Sequence, residues 1–211
     1  AIFLSFRVLD FPDLTVDGSF PLGAGVAAVA ITAGINPWIA TLMAAGASAI
    51  AGLVTAVLNQ RFKILHLLAS ILTMIALFSV SLRVMGRPNI AILTQPNVLT
   101  PFYGHGLKDY IVRPIFLAVI VAVFVVALAR FLASDFGLAM RATGANPRMA
   151  RAQGIRTEMQ VYVGMALSNA MVGVGGAFFA QTNGFADVTT GVGTIVVGLA
   201  AVIIGETLLP F

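Results

Sequence analysis

Six polar residues stand out in an otherwise apolar chain: Asp10, Asp13, Thr15 and Asp17 near the start, and Asp187 and Thr189 near the end. The run Phe11-Pro12-Asp13-Leu14-Thr15 parallels Phe185-Ala186-Asp187-Val188-Thr189. Each run precedes a segment rich in small apolar residues, Pro21–Ile31 and Ile195–Gly205. Ionisable groups at membrane depth are costly and face a cavity or a partner. The chemistry expected of these six is therefore contact with a solute or ion along a translocation path. The alternative is an Asx-type helix cap in each loop, since Asp and Thr suit those positions. Other chemistries lack their parts. There is no cysteine, and His66 and His105 are far apart without a third ligand, so no metal site or other cofactor is expected. A phosphate loop of the form G-x-x-x-x-G-K-[ST] is absent. Gly173-Val174-Gly175-Gly176 is too apolar in context to cradle phosphate and reads as close helix packing. No nucleophile stands beside an obvious base, which argues against an intramembrane enzyme.

The elements that must position these residues follow from composition. Of 211 residues, 59% are hydrophobic and only 9% are charged, against about 25% charged in an average soluble protein. Mean hydropathy is +1.01. A water-soluble domain of this size cannot hide so much apolar surface. The net charge of +4 does not indicate nucleic acid, because the basic residues sit between apolar segments. A spanning helix needs about 20 apolar residues, and five segments approach or exceed that: Asn36–Leu58, Ile64–Leu82, Ile111–Leu132, Glu158–Ala180 and Thr189–Leu209. Ser19–Gly34 is apolar but shorter. The apolar runs are continuous rather than alternating, so strands are not expected. Ala40, Ala44, Ser48, Gly52 and Ala56 recur every fourth position and form one ridge for a close neighbouring helix. Trp38 and Tyr103 suit an interfacial aromatic belt. The expected architecture is an all-α, polytopic transmembrane bundle forming a single domain over 1–211.

Lys and Arg orient it. Asn59–Lys63 carries Arg61 and Lys63, and Arg130–Arg156 carries five arginines. Two spans separate these regions, so both fall on one side, which the positive-inside rule makes cytoplasmic. The long Pro- and Gly-containing loop Arg83–Arg113, with four basic residues including Lys108, then faces outward. Glu206 falls at the cytoplasmic end of the last span. Five crossings separate the two Phe-x-Asp-x-Thr loops, which places them on opposite faces as an inverted repeat, a common transporter architecture.

Gly137–Ile155 reads GLAMRATGANPRMARAQGI. Asn146-Pro147 is a helix-start signal, with Asn as cap and Pro in the first turn. Gly144 and Gly154 are expected helix terminators. The spacing predicts two short helices, about Phe136–Thr143 and Pro147–Gln153, in a cytoplasmic segment 136–156 that also meets anionic lipid heads.

Gly137, Arg141-Ala142, Asn146, Ala150 and Gly154-Ile155 resemble the cytoplasmic signature of ABC importer permeases of the branched-chain amino acid and ribose type. Phe6-Arg7-Val8-Leu9-Asp10-Phe11, then Gly18 and Leu22-Gly23-Ala24, is similar to that family's early broken-helix motif. Leu9–Gly18 is most similar to a subgroup associated with aromatic amino acid uptake. The resemblance implies a fold of about ten membrane helices, of which this chain would be an internal piece, truncated at both ends. It implies coupling helices that dock on an ATP-binding cassette subunit, with Arg141, Asn146, Pro147, Arg148, Arg151 and Gly154 as the docking residues. It further implies an extracytoplasmic solute-binding protein, a second permease copy in a homodimer, and residence in the bacterial inner membrane. ATP hydrolysis would belong to the partner. The competing reading is a gradient-driven secondary transporter, with Asp13 and Asp187 binding the coupling ion at broken helices.

Overall fold

Helix α1 (Val16–Thr32) lies at the centre of the molecule, and its residues explain why. Small side chains and glycines cover almost every face, so neighbours approach from all sides. A computed structural model describes residues 1–100 and 109–208, with side chains of the fourth helix described from Arg113 onward. The expected positions Tyr103, His105 and Lys108 lie outside the described residues.

A π-helical segment (Phe3–Val8) and an irregular stretch lead into α1. There follow α2 (Pro37–Gln60), α3 (His66–Met85), β1 (Asn89–Ala91), α4 (Asp109–Leu132), α5 (Asp135–Ala145), α6 (Pro147–Ala152), α7 (Thr157–Asn183), β2 (Phe185–Asp187), a 3-10 turn (Val188–Gly191) and α8 (Thr194–Leu208). Pro37–Gln60, His66–Met85, Arg113–Leu132, Thr157–Asn183 and Val188–Leu208 are long and apolar enough to cross a membrane. These are the five expected spans, each moved by a few residues at its ends.

Helices α2 and α7 run antiparallel along their whole length. Thr41 meets Gln181, Ser48 meets Gly173, and Gly52 meets Met165 and Asn169. The ridge Ala40, Ala44, Ser48, Gly52, Ala56 is buried, as its four-residue spacing predicts. Backbones approach this closely only where a Cβ is missing. One added at Gly52 would fall onto the Met165 carbonyl, and one at Gly23 would land on the Gly173 backbone. In lipid, such contact replaces the hydrophobic drive that packs helices in water. Because α2 and α7 are antiparallel, the end of α2 and the start of α7 share one face. That face carries Arg61, Lys63, Arg148, Arg151 and Arg156.

Two sequence expectations need correction. Strands do occur: β1 pairs antiparallel with β2, with Ile90 opposite Ala186. Each strand has three residues, too few to show alternation, and only a partner distant in sequence makes them a ribbon. The ribbon joins the ends of α3 and α7 on the face opposite the basic one. Gly144 does not end its helix, since α5 continues to Ala145. Its lack of a side chain instead lets the Val8 carbonyl rest against α5. Gly154 does terminate, at φ +84°, which a residue with a Cβ adopts poorly.

Gly52→Val is expected to force α2 away from α7 and to cost ~1–3 kcal/mol, as overpacking does. Thermal unfolding of the purified protein in detergent checks this. An unchanged midpoint would mean that the two helices have room to spare.

Candidate functional site

The break before α1 organises the candidate site. The π-helical segment ends at Val8, and Asp10 turns the chain at φ +52°. Phe11 is buried and stacks on His66 at 4.4 Å between ring centroids, which anchors the turn near the basic face. The chain then enters the bundle without regular structure through Asp13 and turns at Leu14 and Thr15 into α1. Helix α1 has 17 residues, so at about 1.5 Å per residue it is roughly 25 Å long, short of the ~30 Å hydrocarbon core. The break supplies the rest of the crossing, and its free amides must find partners inside the protein.

Asp13 provides the first. Its side chain is fully buried, and its Oδ1 accepts from the Thr15 amide at 2.9 Å. Its Oδ2 accepts from Asn169 Nδ2 at 2.8 Å. Asn169 lies in the middle of α7, also donates to the Met165 carbonyl, and accepts from Ser19 Oγ at 2.6 Å. Ser48 Oγ donates to the Ser19 carbonyl, and the hydroxyls of Thr15 and Thr55 bond at 2.9 Å. One connected polar network thus ties the break to α1, α2 and α7. Apart from Asp13 it is built of neutral groups, each with a partner, which is the condition under which a buried polar cluster rigidifies its surroundings.

Asp17 serves the other broken segment. Its Oδ1 accepts from the Ile195 amide at 2.8 Å and its Oδ2 from the Gly193 amide at 3.2 Å. A carboxylate on α1 therefore caps the N-terminus of α8, where the helix dipole also favours negative charge. Pro21 cannot donate to the Asp17 carbonyl, and Gly191 comes against that oxygen. The two interrupted segments are joined at this point.

Asp187 repeats the geometry of Asp13. Its Oδ1 accepts from the Thr189 amide at 2.8 Å, and its Oδ2 accepts from Asn89 across the ribbon at 3.1 Å. The two Phe-x-Asp-x-Thr runs thus build the same Asx turn, and the helices after them run in opposite directions. Asp13 is sealed in the bundle, whereas Asp187 and Thr189 lie at the surface opposite the basic face. The bonds from Thr189 and Asn89 hold the Asp187 carboxyl below the usual value of 3.8.

On the basic face, Asn146 ends α5 and caps α6: its Oδ1 accepts from the Arg148 and Met149 amides, both at 3.1 Å. Pro147 opens α6 as its sequence position predicts. Arg141, Arg148 and Met149 are exposed. Arg151 Nε donates to Thr157 Oγ1 at 2.7 Å, which fastens α6 to the first residue of α7. Arg7 forms a two-pronged bond with Glu206, the Nη2 branch at 3.0 Å, joining the first and last segments. No cluster of potential metal ligands exists among the described residues.

The sequence singles out Asp13, Thr15 and Asp17 but not their distant partners. Asn169, Ser19, Ser48 and Thr55 pass for ordinary small polar residues in apolar helices. Their only signal is that each falls on the small-residue face of its helix.

Three comparisons bear on this arrangement. Residues 1–210 match the family model described as branched-chain amino acid transport system / permease component. A tyrosine transport system permease protein of Clostridioides difficile is 38% identical over 98% of this chain and 68% of its own length. An uncharacterised protein of Rickettsia prowazekii is 35% identical over 97% of this chain and 70% of its own. A nucleoside ABC transporter permease protein of Lactococcus lactis is 38% identical over 44% of this chain and 29% of its own. No solved structure matches.

Asn169→Ala removes the donor to Asp13 and the acceptor for Ser19. It should cost about 1–3 kcal/mol or more, as buried groups left unpaired do, and a large drop in thermal midpoint checks it. The Asp187 turn is stabilised above pH 3.8, and that contribution is lost only as pH falls through the lowered folded value. Hydrogen exchange at the Thr189 amide should therefore stay protected at a pH where ordinary aspartates are already half protonated.

Proposed function

The chain belongs to the family of branched-chain amino acid transport system permease components, and we propose that it is the transmembrane subunit of an ATP-driven importer. It is a multi-pass membrane protein. In this reading it resides in the bacterial cytoplasmic membrane, with the basic face inward. A separate ATP-binding cassette subunit docks on α5 and α6, a solute-binding protein meets the ribbon face, and a second copy completes the permease. The solute is an amino acid or a similar small molecule, in keeping with the relative named for tyrosine transport.

The observation that carries this reading is the paired helices α5 and α6. A connection between two spans needs only a few residues, yet here two capped helices lie on the basic face with Arg141, Arg148 and Met149 pointing outward. Both are mechanically tied to the core. Gly144 seats α5 against Val8 at the edge of the break, and Arg151 holds α6 to α7. A partner that moves these helices pulls on the break before α1 and on the helix that carries Asn169. A packed bundle of this kind has discrete arrangements rather than continuous ones. Asp13, Thr15 and Asp17 then act at the moving joint of the path, and Asp187 and Thr189 at its outer mouth. The gradient-driven alternative asks Asp13 to bind an ion, but both its oxygens are already engaged by Thr15 and Asn169.

Arg148→Glu in the intact protein is expected to reduce copurified ATPase several-fold while membrane insertion is unchanged. Affinity purification with quantitative mass spectrometry measures both. Wild-type amounts of ATPase would remove Arg148 from the docking surface, and reproducible absence of any ATPase from the wild type would end the importer reading.

A further inference from the structure

Helix α8 is lightly anchored. Of its residues only Ile195 is buried, while Val196, Val197, Ile203, Ile204 and Leu208 are exposed. Its start is fixed, because Asp17 takes the Gly193 and Ile195 amides and Gly193 turns the chain at φ +84°. Further along, two contacts come from one short element, the π-helical segment Phe3–Val8 and the residues beside it. Ile2 occupies the space that Gly198 leaves by having no side chain. Arg7 grips Glu206 with two branches of its guanidinium, the Nη2 branch at 3.0 Å. The first segment and α8 therefore run side by side in the same direction. An exposed ion pair contributes little to stability, so the meaning of this one lies in what it connects.

The first segment is held differently at its two ends. At its start, Ser168 Oγ donates to the Ala1 carbonyl at 3.1 Å, about three turns into α7. This end and the start of α8 share one level, because Ser19 and Asn169, close neighbours of Asp17 and Ser168 in the chain, bond at 2.6 Å. At the other end the grip comes from α5. The Val8 carbonyl rests where Gly144 has no side chain, and Leu9 lies over Gly164 with Met140 of α5 beside it. A Cβ at Gly164 would stand 3.3 Å from Met140 Cε. The chain then turns at Asp10 and is fixed again by the Phe11–His66 stack. Two parallel pieces are thus hinged at one level inside the bundle and gripped by α5 at the basic face.

We propose that the first segment and α8 form one lever that α5 drives, hinged at the Asp17 cap and the Ser168 bond, with Arg7 and Glu206 as the positioning residues that make α8 follow. The proposal rests on the importer reading for its drive, but the joining of the two pieces is tested without it.

This chain has no cysteine, so cysteines introduced in pairs at exposed positions can carry spin labels for dipolar distance measurement on the intact permease in lipid nanodiscs. Phe3→Cys with Ile203→Cys reports on the lever itself. The wild-type background should give one narrow distance distribution. Glu206→Ala should broaden it severalfold, and Arg7→Glu combined with Glu206→Arg should narrow it again. Phe3→Cys and Ile203→Cys, each paired with Val57→Cys on α2, report movement when the copurified ATPase is trapped with ATP and vanadate. Both distances should shift together by roughly 2–5 Å, between a small helix shift and a one-turn step. In Glu206→Ala only the Phe3 distance should shift. Thermal midpoints and copurified ATPase should match the wild type, whereas a merely stabilising pair would lower the midpoint and leave the distances alone. An unchanged Phe3–Ile203 distribution in Glu206→Ala overturns the lever. So does a full Ile203 shift in that variant, or an α8 that stays still in the trapped wild type. Absence of any ATPase from the wild type ends the importer reading instead, and the width of the Phe3–Ile203 distribution still decides whether the two pieces are one body.

Discussion

A helix interrupted inside a membrane exposes amides and carbonyls that water cannot reach, and the bundle is arranged around that constraint. At the break before α1 the need is met by Asp13, which takes the Thr15 amide and passes its second oxygen to Asn169. At the start of α8 it is met by Asp17, reaching from α1. Each carboxylate is committed to backbone or amide donors. The requirement to satisfy two broken segments fixes which helices must touch: α7 must supply Asn169, α2 must supply Ser48 and Thr55, and all must come close enough to bond. The glycines and alanines along α1, α2 and α7 make that approach sterically possible. Polar satisfaction and small-residue packing are thus two sides of one solution.

How much of this the chain discloses by itself varies with range. Spans are plain because a membrane imposes length and apolarity on each segment separately. The α5–α6 pair is plain as well, since Asn146 and Pro147 act within a few residues of their own helices. The Asx turns at Asp13 and Asp187 follow from local spacing. What the sequence hides is anything that needs a distant partner. The ribbon pairs Asn89 with Asp187, and Asp17 caps a helix that begins more than 170 residues later. Gly144 shows the same limit from another side. Alone it resembles a terminator, and only the position of Val8 reveals it as a contact.

The two faces of the molecule differ in construction. The basic face holds short capped helices fastened by hydrogen bonds to the start of α7, so a force applied there is transmitted. The ribbon face has a small two-stranded ribbon of distant strands and a loop tied down by Gln181, which donates to Thr41 and accepts from the Val98 amide. Helix α4 belongs to neither scheme. It packs on the others near one end through Phe116, whose ring meets Phe178 and Trp38, and near the other through Leu128, Phe131 and Leu132, which join the cluster around Met140 and Val161.

The position of Asn169 also has a consequence for how the protein is made. Ser19 and the side chain of Asp13 enter the membrane early in synthesis, yet their common partner lies over a hundred residues further along the chain. At about 5–20 residues per second, the nascent hairpin of α1 and α2 waits on the order of ten seconds with one oxygen of Asp13 still without its donor from α7. During that interval an unpaired buried polar atom is costly in an apolar surrounding. The arrival of α7 completes the network, and α8, capped by Asp17, comes after it.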